Sequence, residues 1–275
     1  MTTASHDRTG FWSRPTIGKA VLLVLGYLAF YLAVGQLIGR LFGGGVDEDD
    51  PLGTAGGILL VAAPIAIGGV ALALFAARQG WLAEIFGRQP VEGRRWMWIA
   101  PVLVLGAIVA HLAGVDWSRW SAGQLAALAV LGVCVGFTEE LATRGFVVRM
   151  VREAGHGERL VAFLSSLLFA LMHLSNLISG MSLQVVAGTV VYTFAFGMCM
   201  YLTMRVTGTI WAAIVLHGLT DPTTMLAAGG IDTAVGAAPS GSSQVALVLT
   251  TALIAFGFVA VLFVKGRGGV TTPEG

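Results

Sequence analysis

Charge is scarce in this chain: Asp, Glu, Lys and Arg together make up only 11% of its 275 residues. A soluble domain needs roughly a quarter charged residues to cover its surface. That class is excluded, and a polytopic membrane protein takes its place. A long basic stripe is missing too, which excludes nucleic acid as a partner. Cysteine is limited to Cys134 and Cys199, both within apolar stretches. Neither a CxxC pair nor the Cys/His spacing of a structural zinc site is present. The two thiols read as buried and inert, with a disulfide between them as an unmotivated alternative. No fixed-period repeat occurs, and no HExxH pair.

Apolar sequence is what remains, at 56% of the chain. It falls into eight stretches: Ile17–Ile38, Thr54–Ala77, Met97–Ala113, Gly123–Met150, Leu160–Ile178, Leu183–Met204, Thr209–Ala228 and Val245–Val264. Most come near the ~20 residues a helix needs to cross the hydrocarbon. The expected fold class is all-α: a polytopic membrane helix bundle of about eight transmembrane helices with a polar site in the membrane interior. Residues 1–15 form an expected cytoplasmic N-terminal tail, 16–265 the transmembrane domain with its motif core at 133–223, and 266–275 a cytoplasmic C-terminal tail. The 38 glycines lie inside the apolar runs, where they suit close helix packing. Gly53 and Gly57 form a GxxxG that reads as one such packing site.

The first stretch has an alternative. Arg14 and Lys19 before Val21–Val34 have the pattern of a signal peptide. The apolar run continues through Leu37 and Ile38 with no small-x-small site after it, which favours an uncleaved helix. With the N-terminus inside, the basic residues sort cleanly. Of the 16 Lys and Arg, Arg40 and Arg119 fall on outer segments, Arg144 falls inside a span, and the others fall on inner segments. This bias places both termini in the cytoplasm. The acidic run Asp47, Glu48, Asp49, Asp50 falls outside; it reads as a solvated loop, with cation binding as the alternative.

The few charges inside the spans fall in three motifs: Glu139-Glu140-Leu141-Ala142-Thr143-Arg144, Phe169-Ala170-Leu171-Met172-His173, and His217-Gly218-Leu219-Thr220-Asp221. An ionisable group in a bilayer is costly and usually has a partner and a role. At 1.5 Å of rise per residue, Glu139 lies roughly 20 Å from the cytoplasmic end of its span, His173 roughly 20 Å and His217 roughly 13 Å. The three motifs therefore reach similar depth and can form one cluster. Glu140 and Arg144 share a helix face and can pair. Glu139 points about 100° away, towards another helix. His173 shares a face with Phe169 and Asn176, and His217 with Asp221, whose carboxylate can orient the imidazole.

Three carboxylates against one guanidinium leave this cluster at −2 when both histidines are neutral. A shared proton, a protonated histidine, a wet cavity or a divalent metal must compensate. Glu139, His173 and His217 have no bland partner and read as functional. Glu140 and Arg144 read equally as a helix lock or as site residues. Phe169 reads as packing, and Asn176 as either helix-bridging or site support. His6, His111 and His156 fall at the tail or in loops and have no assigned role.

At these residues the chain resembles the CPBP family of intramembrane proteins, the CAAX proteases and bacteriocin-processing enzymes also called Abi. That family is marked by EExxxR, FxxxH and HxxxN/D on separate membrane helices. Thr207-Gly208-Thr209-Ile210-Trp211-Ala212-Ala213-Ile214 also resembles its lead-in to the third motif. The resemblance implies an endopeptidase that hydrolyses a peptide bond of a membrane-associated protein or peptide. Glu139 and His173 would activate water, His217 and Asp221 would stabilise the oxyanion, and Glu140 and Arg144 would shape the site. No cofactor is implied, with zinc on Glu139, His173 and His217 as the alternative ligand set.

The resemblance has two departures. Asp221 stands where the prenyl-protein endopeptidases have Asn; an ionised Asp cannot donate to an oxyanion, so it must be protonated or act by orienting His217. Thr143 stands where an aromatic residue is frequent. The composition, rich in Ala, Gly, Val and Arg, fits a bacterial cytoplasmic membrane. Two other functions fit the same residues: a proton-coupled transporter, since buried Glu and His also relay protons, and a non-catalytic membrane partner with an immunity or regulatory role. Transport would call for internal repeats or broken helices, which the sequence does not show.

Overall fold

A computed structural model describes residues 10–47, 50–228 and 241–266. All regular structure among them is helical. The expected N-terminal tail, Glu48 and Asp49 of the acidic run, His6 and the end of the C-terminal tail lie wholly or largely outside these residues.

The helices are α1 (Ile17–Phe42), α2 (Ala55–Gln79), the short α3 (Leu82–Phe86), α4 (Ile99–Ala113), α5 (Ala122–Glu140), α6 (Val148–Glu153), α7 (Glu158–Met172), α8 (Leu183–Thr207), α9 (Ile210–Ala228) and α10 (Gly241–Phe263). Their ends follow local chemistry. Thr16, Thr54, Ser121 and Ser182 cap α1, α2, α5 and α8 by accepting a backbone N–H of the first turn. At Ser121 the cap is reciprocal, with Gln124 reaching back to the Ser121 N–H. Gly80 and Gly208 close α2 and α8 in the left-handed conformation, at φ 70° and 75°.

Among the described residues, seven helical segments are long and apolar enough to cross a membrane. The eighth expected stretch folds as α9, but it is not one of the seven. Its 19 residues carry His217, Asp221 and Pro222, and it packs within the bundle against α5, α4 and α8. The chain is thus an integral multi-pass membrane protein, a helical bundle that turns apolar side chains such as Leu25, Val102, Val133 and Leu262 outward.

α5 lies at the centre, between α2 and α9. Glycine makes both approaches close. A Cβ at Gly136 would sit 2.5 Å from the Ile214 carbonyl oxygen and 2.8 Å from the Gly218 Cα. One at Gly132 would collide with the Gly218 carbonyl oxygen. Pro222 has no N–H to give that carbonyl, its usual partner four residues on. On the other side, a Cβ at Gly69 of α2 would strike the Thr138 hydroxyl, which itself donates to the Ile65 carbonyl at 3.2 Å. The GxxxG read from the sequence does something different. Gly53 and Gly57 meet Asp50 and Pro51 in the turn before α2, so they shape a local turn rather than a helix–helix contact.

Two further expectations change in detail. The span through the first motif is interrupted: Leu141–Val147 form a π-helical segment between α5 and α6, and all seven of its residues are buried. The span through the second motif ends its α-helix at Met172 and continues as a 3₁₀ segment, His173–Leu177. His111 lies in the last turn of α4 rather than in a loop. Cys134 and Cys199 are free thiols, half-buried and buried.

Candidate active site

The close approach of α5 to α9 delivers the first and third motifs to each other. Glu140 is fully buried and its Oε1 accepts twice: from Arg144 Nη1 at 3.0 Å and from His217 Nδ1 at 2.8 Å. A charge-assisted bond of this kind is roughly twice as strong as a neutral one. With Nδ1 so engaged, His217 turns Nε2 towards the other two carboxylates. Nε2 stands 3.8 Å from Glu139 Oε2 and 3.9 Å from Asp221 Oδ2. Both separations exceed direct hydrogen-bond length. The orienting carboxylate of His217 is therefore Glu140 on a neighbouring helix, whereas sequence spacing pointed to Asp221 on its own.

Exposure divides the three carboxylates. Glu140 is 0% exposed, while the Glu139 and Asp221 side chains are 18% and 31% exposed. His217 is 2% exposed. The buried acid holds the imidazole, and the two open acids flank the nitrogen that imidazole presents.

His173 reaches the same place by another route. Its Nδ1 lies 3.0 Å from the Phe169 carbonyl oxygen. A carbonyl only accepts, so Nδ1 carries a hydrogen, which in the neutral tautomer leaves the lone pair on Nε2. The Phe169 ring lies between the two imidazoles, 5.1 Å from His173 and 5.5 Å from His217, edge-on to both. It also lies 4.7 Å beneath the Arg144 guanidinium. Phe169 is packing, as read from the sequence, but packing that spaces three site residues. Glu139 interacts electrostatically with His173, His217, Asp221 and Glu140, so all four candidate catalytic side chains gather here. Asn176 lies one 3₁₀ turn beyond His173 and is half-buried; its backbone carbonyl accepts from the Met181 N–H at 3.1 Å.

The π-helical segment explains Thr143. A π turn disturbs the i to i+4 ladder and leaves a carbonyl in need of a donor. The Thr143 hydroxyl donates to the Glu139 carbonyl at 2.6 Å and accepts from Arg144 Nη1 at 2.6 Å. A phenylalanine at this position could do neither. Gly197 of α8 leaves the space Arg144 occupies: a Cβ there would be 2.8 Å from Nη2. Arg144 Nε and Nη2 and Glu140 Oε2 are buried without a hydrogen-bond partner.

Sequence reasoning noted Thr143 only as a departure, and did not single out Gly197, or Tyr27 and Tyr31 of α1, whose phenols interact electrostatically with Glu139. The tyrosines stack on one face of α1 with centroids 6.4 Å apart, and Tyr27 wedges where Gly68 of α2 lacks a side chain. Their four-residue spacing was the available signal. Among the described residues, no three His, Cys, Asp or Glu side chains are grouped to hold a metal ion.

A buried carboxylate–imidazole–guanidinium cluster inside a multi-pass helical bundle defines the class: a membrane protein equipped for acid–base chemistry within its own interior. The more specific finding agrees. Residues 119–223 match the family model described as Rce1-like, Type II CAAX prenyl endopeptidase Rce1-like, which is the CPBP family. The match contains all three motifs and bears out the resemblance drawn from them; it supports a CAAX-protease-like membrane peptidase. None of the curated proteins matches the chain.

Proposed function

We propose that this protein is an intramembrane endopeptidase that hydrolyses a peptide bond of a membrane-associated protein or peptide without a metal. The observation that carries the reading is the pair of open carboxylates flanking His217 Nε2 while a buried third carboxylate holds Nδ1. Water bound between Glu139 and the His173 Nε2 lone pair loses a proton to Glu139. Its oxygen attacks the scissile carbonyl carbon, and the carbonyl electron pair moves onto oxygen. A second proton on His217 offsets one of the three carboxylates and gives Nε2 a hydrogen to donate to that oxyanion. The C–N bond then breaks, and Glu139 returns its proton to the leaving amine.

Asp221 is an acceptor when ionised and acts by balancing the charge of His217, which Glu140 orients. Glu140 and Arg144 hold the frame. The concentration of basic residues on alternate segments supports a cytoplasmic location for both termini, and the composition fits a bacterial cytoplasmic membrane. Asp221 in place of Asn leaves prenylation outside the substrate requirement proposed here.

The deciding experiment compares membrane peptidomes of cells carrying wild type or Glu139→Gln at matched expression. New peptide termini found only with wild type establish proteolysis and identify the substrate. Identical peptidomes across growth conditions would reject the peptidase reading in favour of a non-catalytic partner or a transporter.

A further inference from the structure

Hydrolysis consumes water, so one side of the site must be wet, and burial shows which. The Phe169 and Phe196 rings both meet His217 edge-on, at 5.5 and 5.0 Å, and mark the level of the site on α7, α8 and α9. α8 changes character at that level. Residues 193–205, from just before Phe196 towards the Gly208 end, are all buried. Among residues 183–192 only Val186 is buried. The neighbouring elements divide in the same way. On the Gly208 side the wholly buried π-helical segment Leu141–Val147, Glu158 and Val161 of α7, and Ile210 and Ala213 of α9 cover the site. On the opposite side no residue of the 3₁₀ segment His173–Leu177 is buried.

Polar side chains continue outward on that second side. α8 packs against both the 3₁₀ segment and α9. α8 and α9 are joined through Gly208 and Thr209 alone, so they run antiparallel. Thr189 lies seven residues before Phe196 and Thr224 seven after His217, equal steps of about 10 Å in one direction. Both are half-buried, as are Asn176 and Asp221. Polar groups at membrane depth are costly against lipid and face water or protein instead. The two ends of the bundle also differ in charge. Arg78, Arg95, Arg149, Arg159 and Lys265 lie at the covered end, and Arg40 and Arg119 at the open end. Basic residues gather on the cytoplasmic side of a membrane protein.

We propose that the site opens away from the cytoplasm, between the 3₁₀ segment, α8 and α9, and that its substrates are membrane proteins or peptides whose cleaved bond is reached from the non-cytoplasmic side. The substrate class rests on the peptidase reading; the route does not. The test accordingly has two arms, both on the full-length protein in its membrane. In the first, Cys134 and Cys199 are replaced by Ala, and a single cysteine is introduced as Thr189→Cys or Thr224→Cys. Both hydroxyls donate to carbonyls of their own helices, Val185 at 3.1 Å and Asp221 at 2.8 Å, so neither variant removes a bond between helices. The exposed positions Ser118→Cys and Arg95→Cys report the open and covered ends. A small charged thiol reagent that does not cross membranes is applied to right-side-out and to inverted vesicles.

Thr189→Cys and Thr224→Cys should react together with Ser118→Cys in right-side-out vesicles, and Arg95→Cys in inverted ones. Reaction of the threonine variants from the side of Arg95→Cys, or from neither side, would overturn the route. Ser118→Cys reacting only in inverted vesicles would overturn the assignment of that side. In the second arm, the new peptide termini found only with wild type are mapped onto their parent proteins. They should lie on the non-cytoplasmic side. Termini on the cytoplasmic side would overturn the substrate class and leave the peptidase reading standing. Labelling as expected with no new termini would sink the peptidase reading while upholding the route.

Discussion

The bundle buries two clusters of charge, and they are built on opposite principles. One is the site around Glu140. The other joins Arg152 of α6, Glu158 of α7, and Tyr201 and Arg205 of α8. In the second, Glu158 is fully buried and accepts from Arg152 at 2.7 and 2.8 Å, from Arg205 at 2.9 Å and from the Tyr201 hydroxyl. Arg205 spends its remaining donors on the Val91 and Glu92 carbonyls, and Arg152 reaches the Gln89 side chain. Every polar atom of this cluster is engaged or accessible; none of its members is among the buried orphans. It ties α6, α7, α8, the chain before α4 and, through Glu158 N–H to Gly266, the chain after α10. The site around Glu140 has three carboxylates to one guanidinium, orphaned atoms on both Glu140 and Arg144, and two carboxylates partly exposed. A saturated network fixes a structure. An unsaturated one holds unspent donors and acceptors for a reacting molecule.

This contrast is open to direct attack. Glu139→Gln should cost the largest factor, about a thousand-fold or more in cleavage rate, by removing the general base. Its thermal midpoint in detergent should stay at the wild-type value; a large drop would move Glu139 into the structural class. Glu158→Gln should do the reverse. It leaves Arg152 and Arg205 buried against a neutral group, and unfolding should show a loss of about 3–5 kcal/mol. Turnover per folded molecule should hold, and an inactive but stable variant would erase the distinction between the clusters.

Gly136→Ala tests the link between packing and chemistry. Its methyl group would press on the Ile214 carbonyl and push α5 from α9. The expected cost is about 1–3 kcal/mol of stability, with a fall in cleavage rate as Glu140 withdraws from His217. Unchanged kinetics would mean that the site tolerates a wider gap than the structure implies. Ser121→Ala, at the far end of α5, is the mildest case. Loss of the cap should lower stability by about 1 kcal/mol and leave cleavage untouched; a comparable loss of activity would show that α5 transmits strain along its length.

The legibility of these features in the sequence varied with their range. Helix positions were legible because each apolar run must be long enough to satisfy its own backbone in lipid. The three motifs were legible because charge is rare in this chain and its placement conspicuous. Pairing across four residues, as for Glu140 with Arg144, follows from helix geometry alone. The π-helical segment was not legible, since Leu141–Val147 carries no local signal such as proline. Nor was the second cluster: Tyr201 and Arg205 are four apart on α8, but Arg152 and Glu158 lie on other helices, at separations from α8 that no periodicity links.

The sequence by itself determined a multi-pass helical bundle and the identity of the residues that must share a polar interior. Each follows from one segment at a time, through hydropathy, spacing and the cost of a charge in lipid. Only the tertiary structure decided which carboxylate holds which imidazole. Glu140 rather than Asp221 meets His217 Nδ1 because Gly132, Gly136 and Gly218 let two backbones touch. That distance belongs to a pair of helices, and no single helix encodes it.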